Sequence, residues 1–333
     1  MAQHEIRQNK ISREWVIYST GRGKRPHDFI KQEEFHLASE PDKKCPFCPG
    51  NEEILGPILY QLPGENQYTW AARCVPNKYP ILDSSSSSKR IHEGIYLKTQ
   101  GYGEHELIIE SPFHNKDLAD FSQQEMEIII ECYHSRTLTL FEHPQNQMVQ
   151  IFRNRGPKAG ASLIHPHSQI IASSIAPHYM RYREEIAQSY YDDHGCCIFC
   201  ELLEYEIKAE QRMVYQNKHF TTLVPYAAEV PYEMWIIPHH HDASFAALAS
   251  DHKPYLAESI SQSIKRLYAC YEKPNYNMVI HSCMRYKQDE PQLHWYIQIM
   301  PRLSTPAGFE IGSRIPINSH IPEEDALELR QKF

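Results

Sequence analysis

The chain has 333 residues, 41% of them hydrophobic and 23% charged, enough to bury one large core or two ordinary ones. A formal net charge of -8 excludes broad attraction to nucleic acid or anionic lipid and leaves only local basic clusters, such as Arg22-Gly23-Lys24-Arg25, to hold one small anion. No run approaches the roughly 20 uninterrupted apolar residues of a bilayer span, and the opening Met1-Ala2-Gln3-His4-Glu5-Ile6-Arg7 lacks a secretory signal's apolar core. The expectation is a cytoplasmic protein with neither a nucleic-acid nor a membrane partner.

The first chemical signal is Cys45-Pro46-Phe47-Cys48. Nine cysteines in a reducing compartment do not read as a disulfide set, and Cys-x-x-Cys spacing presents two thiolates to one metal from a tight turn. Ser84 to Ser88 reads as a loop. Glu106–Glu110 reads as a strand ending at Ser111-Pro112-Phe113-His114. Ser122 with Glu125 three residues on forms a capping box ahead of a helix to Leu140, and Met148–Phe152 reads as the next strand. Asn154-Arg155-Gly156-Pro157-Lys158-Ala159-Gly160-Ala161-Ser162 then offers amides, a hydroxyl and cations suited to cradling phosphate, with glycine allowing close backbone approach.

His165-Pro166-His167-Ser168-Gln169 leads into the strand Ser168–Ala172, and period-two alternation puts His165, His167 and Gln169 on one face. A neutral imidazole attacks phosphorus well, and the resulting N–P bond passes its group on. His167 is therefore the candidate nucleophile and Gln169 the amide that steadies the phosphoryl oxygens. Asp192-Asp193-His194-Gly195 reads as a loop joining two halves, with the boundary near residue 190.

Beyond it the pattern repeats. Cys197-Ile198-Phe199-Cys200 matches the first pair in spacing and in the Phe before its second Cys, and Glu233–Ile237 reads as a strand ending at Pro238-His239-His240-His241. Leu256, Ile260, Ile264, Leu267 and Tyr271 mark a helical face, and Asn277–His281 and His294–Met300 read as strands. The interval from His114 to His165 nearly equals that from His241 to His294. The expected fold class is α+β: residues 1–190 and 191–333 as duplicated halves of mostly antiparallel sheet with helices packed on it. The charged run Glu323–Arg330 reads as a solvated helix.

Two thiols and two imidazoles complete a closed tetrahedral site. Cys45, Cys48, His114 and His165 form one set. Cys197, Cys200, His294 and one of His239, His240 or His241 form the second, with His241 favoured because Phe245 then matches Leu118. Such sites leave no open position, so the metal is expected to hold His165, and through it His167, rather than do chemistry.

These motifs resemble the histidine triad superfamily and, within it, the galactose-1-phosphate uridylyltransferase family, over nearly the whole chain from about residue 5 to 330. The resemblance implies a tandem duplicated histidine triad fold holding two zincs. It also implies a nucleotidyltransferase that moves a nucleoside monophosphate between a nucleotide sugar and a hexose 1-phosphate by a ping-pong cycle through nucleotidyl-His167. UDP-glucose and galactose 1-phosphate, the pair of galactose metabolism, are the default partners. Residue by residue, Cys45, Cys48, His114 and His165 fall on the family's zinc ligands, and Asn77, Asn154, Gly160, Ser162 and Gln169 on its nucleotide contacts. Arg22 and Arg25 fall on phosphate-contacting arginines that come from the partner subunit, which implies a homodimer with shared sites. Phe309 and Glu310 resemble the sugar contacts.

The sequence also departs from the family pattern. Tyr296 stands where a second reactive His would be, so one nucleophile per chain is expected. Ser168 replaces the usual Gly and is expected to set a hydroxyl beside the transferred phosphate. The second Cys pair resembles relatives with two zincs, which include an adenylyl-transferring ADP-glucose phosphorylase. The alternatives are therefore a phosphorylase using inorganic phosphate and a zinc-stabilised nucleotide-binding scaffold without activity.

Overall fold

In a computed structural model, which describes residues 4–21, 41–65 and 68–333, the strands follow the period-two alternation of their side chains. Strands β1 (His4–Gln8), β2 (Trp15–Ser19), β3 (Tyr60–Pro63) and β4 (Trp70–Pro76) come first, followed by the small hairpin β5 (Ile91–Glu93) and β6 (Tyr96–Lys98). β7 (Gly103–Ile109), helix α1 (Gln123–Glu142), β8 (Met148–Arg155) and β9 (His167–Ser173) complete the first half. Helices α2 (His178–His194) and α3 (Ile198–Ala209) lead to β10 (Met213–Gln216), β11 (Phe220–Leu223) and β12 (Met234–Pro238). After α4 (Lys253–Cys270) come β13 (Tyr276–His281), β14 (Tyr296–Pro301), α5 (Gly308–Ser313), β15 (Ile317–Asn318) and α6 (Pro322–Gln331).

Ten strands form one sheet in the order β10-β11-β12-β14-β13-β8-β9-β7-β4-β3. Outward from the centre, β8-β9-β7-β4-β3 repeats the succession β13-β14-β12-β11-β10, which is the duplicated, largely antiparallel α+β architecture expected. The halves are fused by the antiparallel pairing of β8 with β13, Asn154 opposite Asn277. β1, β2 and β15 form a separate small sheet.

One face of the large sheet carries Ile108, Ile151, Ile170, Ile236, Ile280 and Ile297, and α1 and α4 pack on it in a single apolar cluster. Each such buried side chain contributes about 1.5–3 kcal/mol. The capping box that starts α1 forms as expected: Glu125 N–H donates to Ser122 Oγ at 3.3 Å and Ser122 N–H to Glu125 Oε2 at 2.8 Å. The opposite face carries His105, His167, Gln169, Asn154, Asn277 and Gln298, because alternation reverses the direction of every second side chain.

Two local expectations need correction. Asp192–His194 is the last turn of α2 rather than a loop, and Gly195 ends the helix at φ 71. α6 is half buried rather than solvated: Ala326 and Leu329 join the main core, and Asp325 accepts from Tyr232 N–H at 2.8 Å. Among the described residues no helix is long and apolar enough to cross a membrane.

Candidate active site and metal centres

The Cys45–Cys48 turn is closed by its own backbone. Cys48 N–H donates to Cys45 O at 3.3 Å, and Asn51 Nδ2 donates to the same carbonyl at 2.7 Å. His114 follows β7 and His165 precedes β9, and the pairing of these strands brings both histidines to that turn. The donor atoms of Cys45, Cys48, His114 and His165 lie within 4.8 Å of one another, with all four residues buried. Cys48 Sγ is 3.3 Å from His114 Nδ1 and 3.6 Å from His165 Nδ1. A zinc tetrahedron has S-to-N edges of about 3.6 Å, so the donor set fits a metal of that size. His165 Nε2–H donates to Ser111 O at 2.8 Å, which leaves Nδ1 a lone pair facing the cluster. Burial pushes His165 down to about 3, keeping it in the neutral form that ligation requires.

Cys197, Cys200, His241 and His294 repeat the arrangement. Cys200 Sγ is 3.3 Å from His241 Nδ1 and 3.7 Å from His294 Nδ1, and His294 Nε2–H donates to Pro238 O at 3.1 Å. Of the three adjacent histidines it is His241 that joins the group. His239 turns to Thr221 Oγ1 at 2.8 Å, and the side chain of His240 is 66% exposed.

β9 begins at His167, so His165 sits in the turn before the strand rather than on it. His167 Nδ1 lies 2.8 Å from His165 O. Only an N–H can face a carbonyl at that distance, so the lone pair is on Nε2. The ring leans on Phe47 of the cysteine turn, with centroids 5.3 Å apart. Burial lowers the pKa of His167 below the ordinary imidazole value, so the ring is neutral near pH 7. Gln169 shares its face, with Oε1 2.9 Å from His105 Nε2. Asn77 lies against the same His105, its N–H donating to His105 O at 2.8 Å. Neither His105 nor Asn277 stood out in the sequence, because only strand register reveals what they face.

Ser168 does not sit beside His167. Alternation sends it to the helix face, where it is fully buried, donates to Glu110 and has Tyr133 Oη 2.5 Å away. Glu110 is in turn paired with the buried Arg153 at 2.9 Å. Ser168→Gly is therefore expected to cost about 1–3 kcal/mol of stability in urea denaturation, by removing a donor from a buried carboxylate. It should leave the preference among nucleotide donors unchanged, and a switch in donor preference would return Ser168 to the site.

The Asn154–Ser162 segment is also less available than its composition suggested. The N–H groups of Ala159 and Ala161 donate to Gly156 O and that of Gly160 to Pro157 O. Arg155 is held by Asp117 and by the carbonyls of Lys273 and Pro274. What remains for a ligand is the Asn154 amide with the exposed Lys158, Gly160 and Ser162. Gly156, at φ 81, is required there, since an added Cβ would lie 2.1 Å from Asn275 Oδ1. Arg22 and Arg25 lie outside the described residues. On α5, Glu310 accepts from Ala307 N–H at 2.9 Å and Ile317 N–H at 3.2 Å, and Phe309 is 54% exposed.

In the second half β12 pairs Trp235 with Gln298 as β7 pairs Leu107 with Gln169, which puts Tyr296 at the place of His167. Tyr296 is buried, stacked on His281 at 4.6 Å, and covered by Arg183 of α2 and by Ile11. The cavity left there is about 70 Å³. A nucleotide-sized ligand needs roughly 300 Å³ or more, so α2 has filled this copy of the site.

The family model of galactose-1-phosphate uridyl transferase matches the chain with its N-terminal domain over residues 1–177 and its C-terminal domain over residues 183–309. The chain belongs to this family. It is 32% identical to an ADP-glucose phosphorylase of Arabidopsis thaliana over 331 residues, which span 98% of this chain and 92% of that protein. It is 29% identical to a galactose-1-phosphate uridylyltransferase of Thermotoga maritima, with 98% of each chain covered. The crystal structure of an ADP-glucose phosphorylase from Arabidopsis thaliana with bound ADP-glucose superposes with a TM-score of 0.85 at 31% identity, over 99% of both chains. Members of the family bearing these names are nucleotidyl-transferring enzymes, and this chain is an enzyme of that class.

Proposed function

We propose that the protein transfers a nucleoside monophosphate from a nucleotide sugar to a phosphate-bearing acceptor through a covalent nucleotidyl-His167. The observation that carries the reading is the neutral His167 ring, with Nδ1–H held by His165 O and the Nε2 lone pair left for attack beside Gln169. Nε2 attacks the α-phosphorus, the bond from that phosphorus to the bridging oxygen breaks, and the sugar 1-phosphate leaves with the electron pair. An acceptor phosphate oxygen then attacks the same phosphorus, and the N–P electron pair returns to Nε2. Gln169 steadies the phosphoryl oxygens, with Asn77, Asn154, Gly160 and Ser162 as nucleotide contacts.

In this reading residues 1–190 carry the reacting site and residues 191–333 support it. Each Cys2His2 group holds a zinc, two per chain, and four protein ligands restrict that zinc to fixing the backbone.

The family name points to UDP-glucose and galactose 1-phosphate as the substrate pair. Likeness to the Arabidopsis ADP-glucose phosphorylase favours a second reading, in which ADP-glucose and inorganic phosphate give ADP and glucose 1-phosphate. Purified protein incubated with each donor, labelled at the α-phosphorus, should take up acid-labile, base-stable label, and chasing with galactose 1-phosphate or phosphate identifies the acceptor. Label from neither donor sinks both enzymatic readings and leaves the nucleotide-binding scaffold.

The reading includes a homodimer in which Arg22, Arg25, Phe309 and Glu310 complete the phosphate and sugar ends of shared sites. It is supported by the β5–β6 hairpin, which exposes Ile91, Ile95, Tyr96 and Leu97, Ile95 to 92%. Exposed apolar side chains grouped on one hairpin support a contact between two copies of the chain. Substituting Asp at both Ile95 and Tyr96 is expected to yield monomer in sedimentation and to abolish turnover. A double variant that stays dimeric and active places the interface elsewhere.

A further inference from the structure

The geometry points to His105 and Asn277 as positioning residues. They hold the amides of Gln169 and Asn154 with both NH2 groups turned to the transferred phosphoryl group. The inference rests on the nucleotidyl-transfer reading above and adds what orients its donors.

The tautomer of His105 is set by its surroundings. Ile81 N–H lies 3.3 Å from His105 Nδ1, and a backbone N–H can only donate, so Nδ1 accepts. Asn77 also brings its NH2 to this ring, 3.4 Å from Nδ1 and 3.1 Å from Nε2, with its Oδ1 accepting Tyr79 N–H at 2.9 Å, so with Nε2 protonated only the Nδ1 contact is a hydrogen bond and the Nε2 contact is a close approach of two donors. A neutral imidazole accepting at Nδ1 carries its proton on Nε2. That proton meets Gln169 Oε1 at 2.9 Å. Rotating the Gln169 amide by half a turn would set two donors against each other. The carbonyl of Gln169 is therefore occupied and its NH2 is left for the ligand.

Asn154 is held in the same sense from the other half of the molecule. Asn277 Nδ2 donates to Ala159 O at 2.9 Å, which fixes that end of Asn277 as the donor. It also donates to Asn154 Oδ1 at 2.7 Å, while Asn277 Oδ1 accepts from Arg302 Nε at 2.5 Å. With Oδ1 taken, Asn154 presents its NH2. Charge builds on the phosphoryl oxygens in the transition state, and donors fixed beforehand stabilise it without reorganising. The second half, whose own site is filled, thus reaches the reacting centre across the β8–β13 seam.

The test is a pair of double-mutant cycles read as single-turnover formation of nucleotidyl-His167. His105→Leu and Asn277→Ala should each slow it about 10- to 100-fold in protein that is folded and has metal content near wild type. His105→Leu should add less than about twofold on a Gln169→Ala background, and Asn277→Ala likewise on Asn154→Ala, because each acts through its partner. Losses that multiply in the double variants overturn the inference. Nitrogen-15 NMR of the His105 imidazole reads the tautomer without any turnover. Protonation at Nε2 is expected, and protonation at Nδ1 overturns the inference. If the wild type takes no label, the proposed function fails, and the tautomer alone then decides this inference.

Discussion

His167→Gly is expected to abolish nucleotidyl transfer, with a loss of about 10⁴-fold or more if His167 is the covalent nucleophile proposed above. The neighbouring imidazole of His105 is engaged at both nitrogens, by Gln169 Oε1 at 2.9 Å and by Ile81 N–H at 3.3 Å. Gln169 and Asn154 are amides, and in the second half Tyr296 is a buried phenol whose pKa burial raises, stacked on His281. The variant should still fold and keep both metals, because His167 contributes no donor to either cluster. Steady-state assays with the substrate pair, together with metal analysis, check both halves of this expectation. If the variant loses one metal equivalent along with its activity, His167 is a ligand and the assignment of His165 is wrong.

The second large effect is metal loss. Cys48→Ala is expected to release one of two metal equivalents and to lower stability by several kcal/mol, given that structural zinc contributes about 10–16 kcal/mol in the smallest zinc domains. It should also abolish labelling of His167. The reason is positional: His165 holds His167 through its carbonyl at 2.8 Å, and His165 is placed by the cluster. Cys200→Ala should release the other equivalent and lower the melting temperature while labelling of the folded protein persists, because its cluster lies beside Tyr296 rather than His167. Metal analysis, thermal denaturation and label incorporation on the two variants separate these outcomes. Equal loss of label in both would show that the clusters do not divide the work in this way.

Both Cys2His2 groups were legible because their signals are local. Cys-x-x-Cys spacing, the histidine pair around Pro166 and the Ser122/Glu125 capping box act within a few residues, where covalent geometry leaves little choice. α2 was missed because it buries few residues, Ile186, Ala187 and Tyr190, and shows little apolar periodicity. α6 was misread because its charges mask Ala326 and Leu329.

Ser168 shows the limit from another side. Adjacent to His167 in sequence, it lies across the sheet from it, bonded to Glu110. The phosphate-suited loop shows it again, since its N–H groups are mostly used within the loop. Residue types stated the chemistry, but not which donors would remain free.

By itself the sequence determined the duplication and the two Cys2His2 sets, because these depend on spacing along the chain. The tertiary structure alone decided the rest. The β8–β13 pairing made one sheet of two halves, α2 filled the second site, and strand register set His105 against Gln169 and Asn277 against Asn154. Those outcomes depend on which distant strands exchange hydrogen bonds, and a one-residue shift in register would turn each of these side chains to the opposite face.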